Sequence, residues 1–125
     1  MQMSTPKEVL VVEDEPLIRM VAADAIADVG IMAWEASDAD EALHVLEEHP
    51  NIGLVFTDVN MPGQMDGLDL AHEVSARRPD VSLIVTSGAV NVPDEQLPDD
   101  GTFLQKPYPT KRLVNLIAAK LDGCE

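Results

Sequence analysis

The pattern that most narrows what this chain can fold into is an alternation of short β-branched apolar runs with stretches of helical spacing. Val9-Leu10-Val11-Val12, Ile52-Gly53-Leu54-Val55-Phe56 and Val81-Ser82-Leu83-Ile84-Val85 are each closed by polar residues. Apolar runs of that length read as strands buried on both faces of a parallel sheet. From Pro16 to Val29, apolar residues recur at Leu17, Ile18, Val21, Ala22, Ala25, Ile26 and Val29, which is the spacing of one helix face. Asp38 with Glu41, and Asp66 with Asp69, resemble capping boxes ahead of the stripes Ala42, Leu43, Val45, Leu46 and Leu68, Leu70, Ala71, Val74. Ile31 to Ala36 supplies a second strand after Gly30, Gly101 to Gln105 a fifth, and about Pro109 to Leu121 a last helix.

Strict alternation of strand and helix implies an α/β fold, a parallel sheet covered on both faces by right-handed crossovers. Five such strands most often adopt the doubly wound, flavodoxin-like order 2-1-3-4-5, with ligands at the carboxyl ends of strands 1 and 3. At 125 residues and 46% apolar composition there is room for one domain and one core, from about residue 8 to 121. One stretch breaks the alternation. Between Gly88 and Asp100, Pro93 and Pro98 each lack a backbone N–H and each disfavours helix in the residue before it. Only Asp94 to Leu97 remain, too short to repay nucleation, and Val90, Val92 and Leu97 are too few for a long apolar stripe. The fourth helix is therefore expected to be one turn or missing, replaced by a mobile, acidic loop.

A net charge of −15 repels nucleic acid and anionic membrane surfaces. No apolar run approaches the roughly 20 residues of a membrane span, and the first residues lack a secretory apolar stretch, so a cytoplasmic protein is expected. The one cysteine, Cys124, has no partner for an internal disulfide or a zinc site.

The predicted strand ends carry groups that packing does not require: Glu13-Asp14-Glu15 after strand 1, Thr57-Asp58 at strand 3, Thr86-Ser87 at strand 4 and Lys106-Pro107 at strand 5. Two like charges about 4 Å apart repel by roughly 1 kcal/mol in water and about 4 kcal/mol at an effective dielectric near 20. Converging carboxylates therefore call for a cation, and oxygen donors without His or Cys suit Mg²⁺. Lys106, the Thr86 hydroxyl and a metal could neutralise phosphoryl oxygens while Asp58 supplies an attacking carboxylate. Taken singly, each has a plainer explanation: a solvated lysine, a threonine capping a turn, acids in an acidic chain. Their delivery by four strands to one edge favours function.

Val11-Val12-Glu13-Asp14-Glu15-Pro16, Asp58-Val59-Asn60-Met61-Pro62-Gly63 with Met65-Asp66-Gly67, Ile84-Val85-Thr86-Ser87 and Phe103-Leu104-Gln105-Lys106-Pro107 together resemble the response regulator receiver family of two-component signalling. The resemblance runs from about Glu8 to Leu121. It implies that Asp58 is the phosphoacceptor and that Glu13, Asp14, Asp58 and the Asn60 backbone carbonyl hold Mg²⁺. It further implies that Thr86 and Lys106 contact the phosphoryl oxygens, that Thr86 and Phe103 act as the switch, and that the Lys106–Pro107 bond is cis. Phe103 has an equally simple reading as a core aromatic. The implied donor is a sensor histidine kinase or a histidine phosphotransfer protein. With no room for an output domain, the signal is expected to leave by contact with a protein target. Gln64 lengthens the loop after strand 3 relative to the family's pattern, and the missing fourth helix disfavours the family's usual symmetric dimer, so a monomer is expected.

Three other functions are compatible with parts of this pattern. An aspartyl-phosphate phosphatase would place a second acid two positions after the acceptor, where this chain has Asn60. A flavodoxin-like cofactor binder would offer backbone N–H groups after strand 1, where Glu13-Asp14-Glu15 offers negative charge. An unphosphorylated interaction module would have no need of Asp14, Asp58, Thr86 and Lys106 together.

Overall fold

The computed structural model describes residues 6–89, 91–98 and 101–121; Val90, Asp100, Cys124 and the first five residues lie outside this set, along with the expectations placed on them. Strands β1 (Glu8–Val12), β2 (Ala33–Ala36), β3 (Ile52–Asp58), β4 (Ser82–Ser87) and β5 (Thr102–Gln105) alternate with helices α1 (Pro16–Asp28), α2 (Ala39–Glu48), α3 (Gly67–Arg77) and α4 (Thr110–Leu121). All strand pairs are parallel, in the order β2-β1-β3-β4-β5. This is the flavodoxin-like arrangement expected from the alternation.

All seven residues of β3 are buried, which is why the central strand reads as a continuous apolar run. Alternate residues serve opposite layers. Leu10, Val12, Val55, Leu83 and Val85 pack with Leu46, Leu70 and Val74 of α2 and α3. Val9, Val11, Leu54, Phe56 and Ile84 pack with Ile26, Leu113 and Ile117 of α1 and α4. Fully burying one such side chain stabilises by about 1.5–3 kcal/mol. The sheet is thus clamped from both sides, and its carboxyl edge is a rigid platform.

Helix starts follow the polar punctuation, with one variation. Asp66 and Asp69 form a reciprocal capping box at α3. At α2 the Asp38 side chain accepts from the Glu41 N–H at 2.8 Å, but the Glu41 carboxylate turns to the Ser37 N–H (2.8 Å) and hydroxyl (2.9 Å) instead of back to Asp38. These two donors hold the Glu41 carboxyl below its usual pKa.

Strand limits differ from the apolar runs for a physical reason. β3 and β4 each run two polar residues past the last apolar one, because the backbone ladder continues through the pairs Asp58 with Thr86 and Ser87 with Gln105. β2 begins at Ala33 rather than Ile31, since the Ile31 N–H is drawn back to the Ile26 carbonyl at the end of α1. Gly30 makes this reversal at φ 86°, a conformation open to glycine.

After β4, the described residues hold a single 3₁₀ turn, Asp94–Gln96, between the two prolines. The reduced fourth helix is as expected, but the described part of the segment is pinned. Val92 and Leu97 are 6% and 7% exposed and join the α2/α3 layer. The Asp94 side chain accepts from the Phe103 N–H at 2.8 Å. No helix among the described residues is long and apolar enough to cross a membrane.

Candidate functional site

The strand order reverses between β1 and β3, and their carboxyl ends open one crevice. Glu13, directly after β1, and Asp58, the last residue of β3, are 4% and 7% exposed. Lys106, directly after β5, bridges them, its Nζ 3.1 Å from Glu13 Oε1 and 3.1 Å from Asp58 Oδ2. The remaining oxygens are engaged by backbone: Glu13 Oε2 accepts from the Glu15 N–H at 3.2 Å and Asp58 Oδ1 from the Asn60 N–H at 3.2 Å. The Lys106 N–H donates to the Ser87 carbonyl at 3.0 Å, and the following peptide bond to Pro107 is cis.

Burial raises the pKa of the Glu13 carboxyl, and its bonds to Lys106 and the Glu15 N–H only partly offset this. Lys106 shows the reverse balance. Burial pulls its pKa down, but the bonds to Glu13 and Asp58 outweigh it and leave the ammonium above its ordinary value. The lysine sits as a cation between the two carboxylates on the crevice floor.

Asp14 is exposed at the rim, and Glu13, Asp14 and Asp58 each bring one carboxylate oxygen within 4.8 Å of the others. Three carboxylates against one ammonium leave the crevice short of positive charge. The donors are hard oxygens without His or Cys, so the residues present fit Mg²⁺.

The other predicted residues reach the same edge in different states. Thr86 pairs with Asp58 in register, but its hydroxyl donates to the Leu104 carbonyl at 2.6 Å. The Asn60 amide donates to Ser87 Oγ at 3.3 Å. Phe103 lies beside Val85 in register, half-buried against the α2/α3 layer. Gln64 is exposed in a loop where Gly63 takes φ 102°.

Two supporting residues stand in the quoted motifs but were given no role from the sequence. A Cβ at Gly67 would collide with the Asp58 carbonyl oxygen, so only glycine lets α3 start against the Asp58 backbone. The motif Met65-Asp66-Gly67 held that signal. Ser87 Oγ also accepts from the Ala89 N–H at 3.1 Å, tying the strand end to Asn60 and to the next segment. The sequence places Ser87 at the strand end beside Thr86, but nothing in it announces these two bonds.

Beside the crevice runs an apolar groove of about 360 Å³, lined by Leu17, Ile18, Val21, Lys106 and Tyr108 among others. Leu17 and Val21 are 75% and 57% exposed. Tyr108 packs edge-on to Phe56, and burial raises its phenol pKa.

Comparison with known proteins agrees with this geometry. The sequence model of the response regulator receiver domain matches residues 9–118. The chain belongs to the response regulator receiver family. The response regulator receiver protein CpdR of Brucella abortus is 31% identical over 118 residues, which cover 92% of this chain and 97% of that protein. The sensor kinase CckA of Brucella abortus is 36% identical over 118 residues, or 91% of this chain, and this chain spans 12% of the kinase's length. Among solved structures, the NtrX receiver domain from Brucella abortus superposes with a TM-score of 0.82 at 30% identity, covering 92% of this chain and 98% of that one. Receiver domains work with histidine kinases or phosphotransfer proteins and bind Mg²⁺ through acidic residues, and this receiver presents such a cluster at Glu13, Asp14 and Asp58.

Proposed function

We propose that this receiver is a single-domain, stand-alone response regulator that accepts a phosphoryl group on Asp58 from a histidine kinase or phosphotransfer protein and signals by protein contact. The observation that carries the proposal is the Lys106 bridge between Glu13 and Asp58, one cation held between two buried carboxylates at the crevice floor. Asp58 is the nucleophile: a carboxylate oxygen bonds to phosphorus as the donor's bond to it breaks, and the donor leaves with that electron pair. Lys106 exchanges a carboxylate contact for a phosphoryl oxygen. The Thr86 hydroxyl exchanges the Leu104 carbonyl for another, and Phe103 shifts behind it as the switch. Glu13, Asp14, Asp58 and the Asn60 carbonyl would hold Mg²⁺, whose charge offsets that of the arriving phosphoryl group. Asn60 has no acidic proton to protonate a leaving group, so the acyl phosphate persists as a signal.

The match spanning 97% of CpdR supports a stand-alone role. A net charge of −15 supports a protein target rather than nucleic acid, and the reduced fourth helix supports a monomer. Lys106 lines both the crevice and the apolar groove, so the donor protein is expected to seat on the α1 ridge. Leu17→Asp should slow transfer from a protein donor at least tenfold and leave labelling by a small phosphodonor unchanged, about the effect of burying an unpaired charge in an interface.

The decisive experiment is incubation with a small phosphodonor and Mg²⁺, read by intact mass. The wild-type chain gains one phosphoryl mass; Asp58→Asn and chelator-treated protein gain none. Equal labelling of Asp58→Asn, or labelling in excess chelator, would overturn the assignment.

A further inference from the structure

We propose that Arg19 is a positioning residue for the metal-binding turn, aiming the Asp14 carboxylate by holding the Glu13 carbonyl. The inference rests on the Mg²⁺ site proposed above.

Glu13 is held at every polar group. Its N–H donates to the Ala36 carbonyl of β2 at 3.0 Å, and its two carboxylate oxygens accept from Lys106 and the Glu15 N–H. Its carbonyl accepts from Arg19 Nη1 at 2.8 Å. Asp14 has no such support: its side chain is exposed and makes no hydrogen bond or ion pair among the described residues. What directs it is the backbone. The peptide planes on either side of Asp14 are each tied: the Glu13 carbonyl of the first is held by Arg19, and the Glu15 N–H of the second donates to Glu13 Oε2. With both planes held, rotation about the Asp14 backbone bonds is limited, and the guanidinium on the Glu13 oxygen is one of the two ties that set the direction in which Asp14 leaves the backbone.

Arg19 is itself anchored. It sits one turn into α1, its backbone N–H donates to the Glu15 carbonyl at 2.9 Å, and its Nε donates to Glu35 Oε1 of β2 at 3.1 Å. Its side chain is 20% exposed. The planar fork spans Glu13 and Glu35 at once, which a single ammonium cannot do. α1, β2 and the ligand turn are joined through this one side chain.

Charge and geometry predict opposite outcomes, which makes the role testable. A cation close to a metal site repels the metal, so if Arg19 acted through its charge alone, removing it would tighten Mg²⁺ binding. If Arg19 positions Asp14, removing it loosens binding, by about tenfold on the scale of other groups that orient metal ligands. The test is Mg²⁺ affinity by calorimetry, with displacement of Mn²⁺ followed by electron paramagnetic resonance, on wild type, Arg19→Met and Arg19→Lys. Thermal melting without metal is followed in parallel. Weaker binding by both variants, with melting still cooperative and full binding at saturating Mg²⁺, supports the inference. Arg19→Lys keeps the charge and decides the matter should Arg19→Met fail to fold: wild-type affinity in Arg19→Lys overturns the positioning role. Equal or tighter binding by a folded Arg19→Met overturns it as well. A wild-type chain that binds no metal would sink the Mg²⁺ site itself and this inference with it.

Discussion

At the carboxyl edge of the sheet, all four carboxylate oxygens of Glu13 and Asp58 are engaged by Lys106 or by backbone N–H groups. The neighbouring segment after β4 is held by one 3₁₀ turn, the buried side chains of Val92 and Leu97, and the Asp94 bond to Phe103. The two regions meet through Ser87, whose Oγ accepts from Asn60 on one side and from the Ala89 N–H on the other, yet they answer to different demands. A carboxylate that is to attack phosphorus, as proposed for Asp58, must be placed to within a fraction of an ångström. A segment that covers a core needs only to bury apolar area and leave no polar group unpaired. The chemistry can therefore stay fixed while the covering segment is shortened from a helix to a turn.

The strongest way to break this comparison is at Lys106. Lys106→Met should reduce labelling of Asp58 by a small phosphodonor about 10²–10³-fold, the usual effect of losing one charge-stabilising donor, as read by initial rates of mass gain. It also carries a pH signature. The folded-state pKa of Lys106 is raised above 10.5, so its contribution to stability is full below that value and is lost as pH rises through the folded value. The stability difference between wild type and Lys106→Met should narrow in strongly alkaline solution, measured by urea unfolding. A constant difference would mean that the lysine does not act through its charge.

Leu97→Ala addresses the other region. It should destabilise the fold by about 2 kcal/mol, the lower end for a buried leucine because a turn can partly collapse around the gap, and leave the labelling rate within about twofold. A large loss of labelling would show that the two regions are not separable. Asp94→Ala should have the smallest effect, about 1 kcal/mol for one hydrogen bond to a charged acceptor at a partly exposed site, measured by the midpoint of urea unfolding.

Most of the fold was legible because the layers are simple. Each aliphatic run became a strand, each helical stripe became a helix, and Pro93 with Pro98 marked where a helix would fail. Strand ends were less legible, since polarity marks where a side chain leaves the core and not where the backbone ladder stops. Thr57, Asp58, Thr86 and Ser87 are polar, buried and still in the sheet. At the site, residues with a charge and a strand-end position stood out: Glu13, Asp14, Asp58 and Lys106. The ones that hold them did not. Arg19 sits inside a helical stripe, where its spacing says only that it is on α1, and its bond to a carbonyl oxygen depends on how α1 lies across β1 and β2. Gly67 matters through the space it leaves empty, which no side-chain chemistry announces.

The Asp94 contact has a further consequence at the margin of the sheet. β2 and β5 are its two outer strands, each only four residues long. An outer strand with unpaired amides is a template on which another chain can grow, and proteins blunt it with short strands, charges or covering loops. On β5 the Phe103 amide is already taken by the Asp94 carboxylate, so the fold's own loop occupies a position that a second sheet would need. Together with the charge of −15, this disfavours edge-to-edge pairing of two copies at β5.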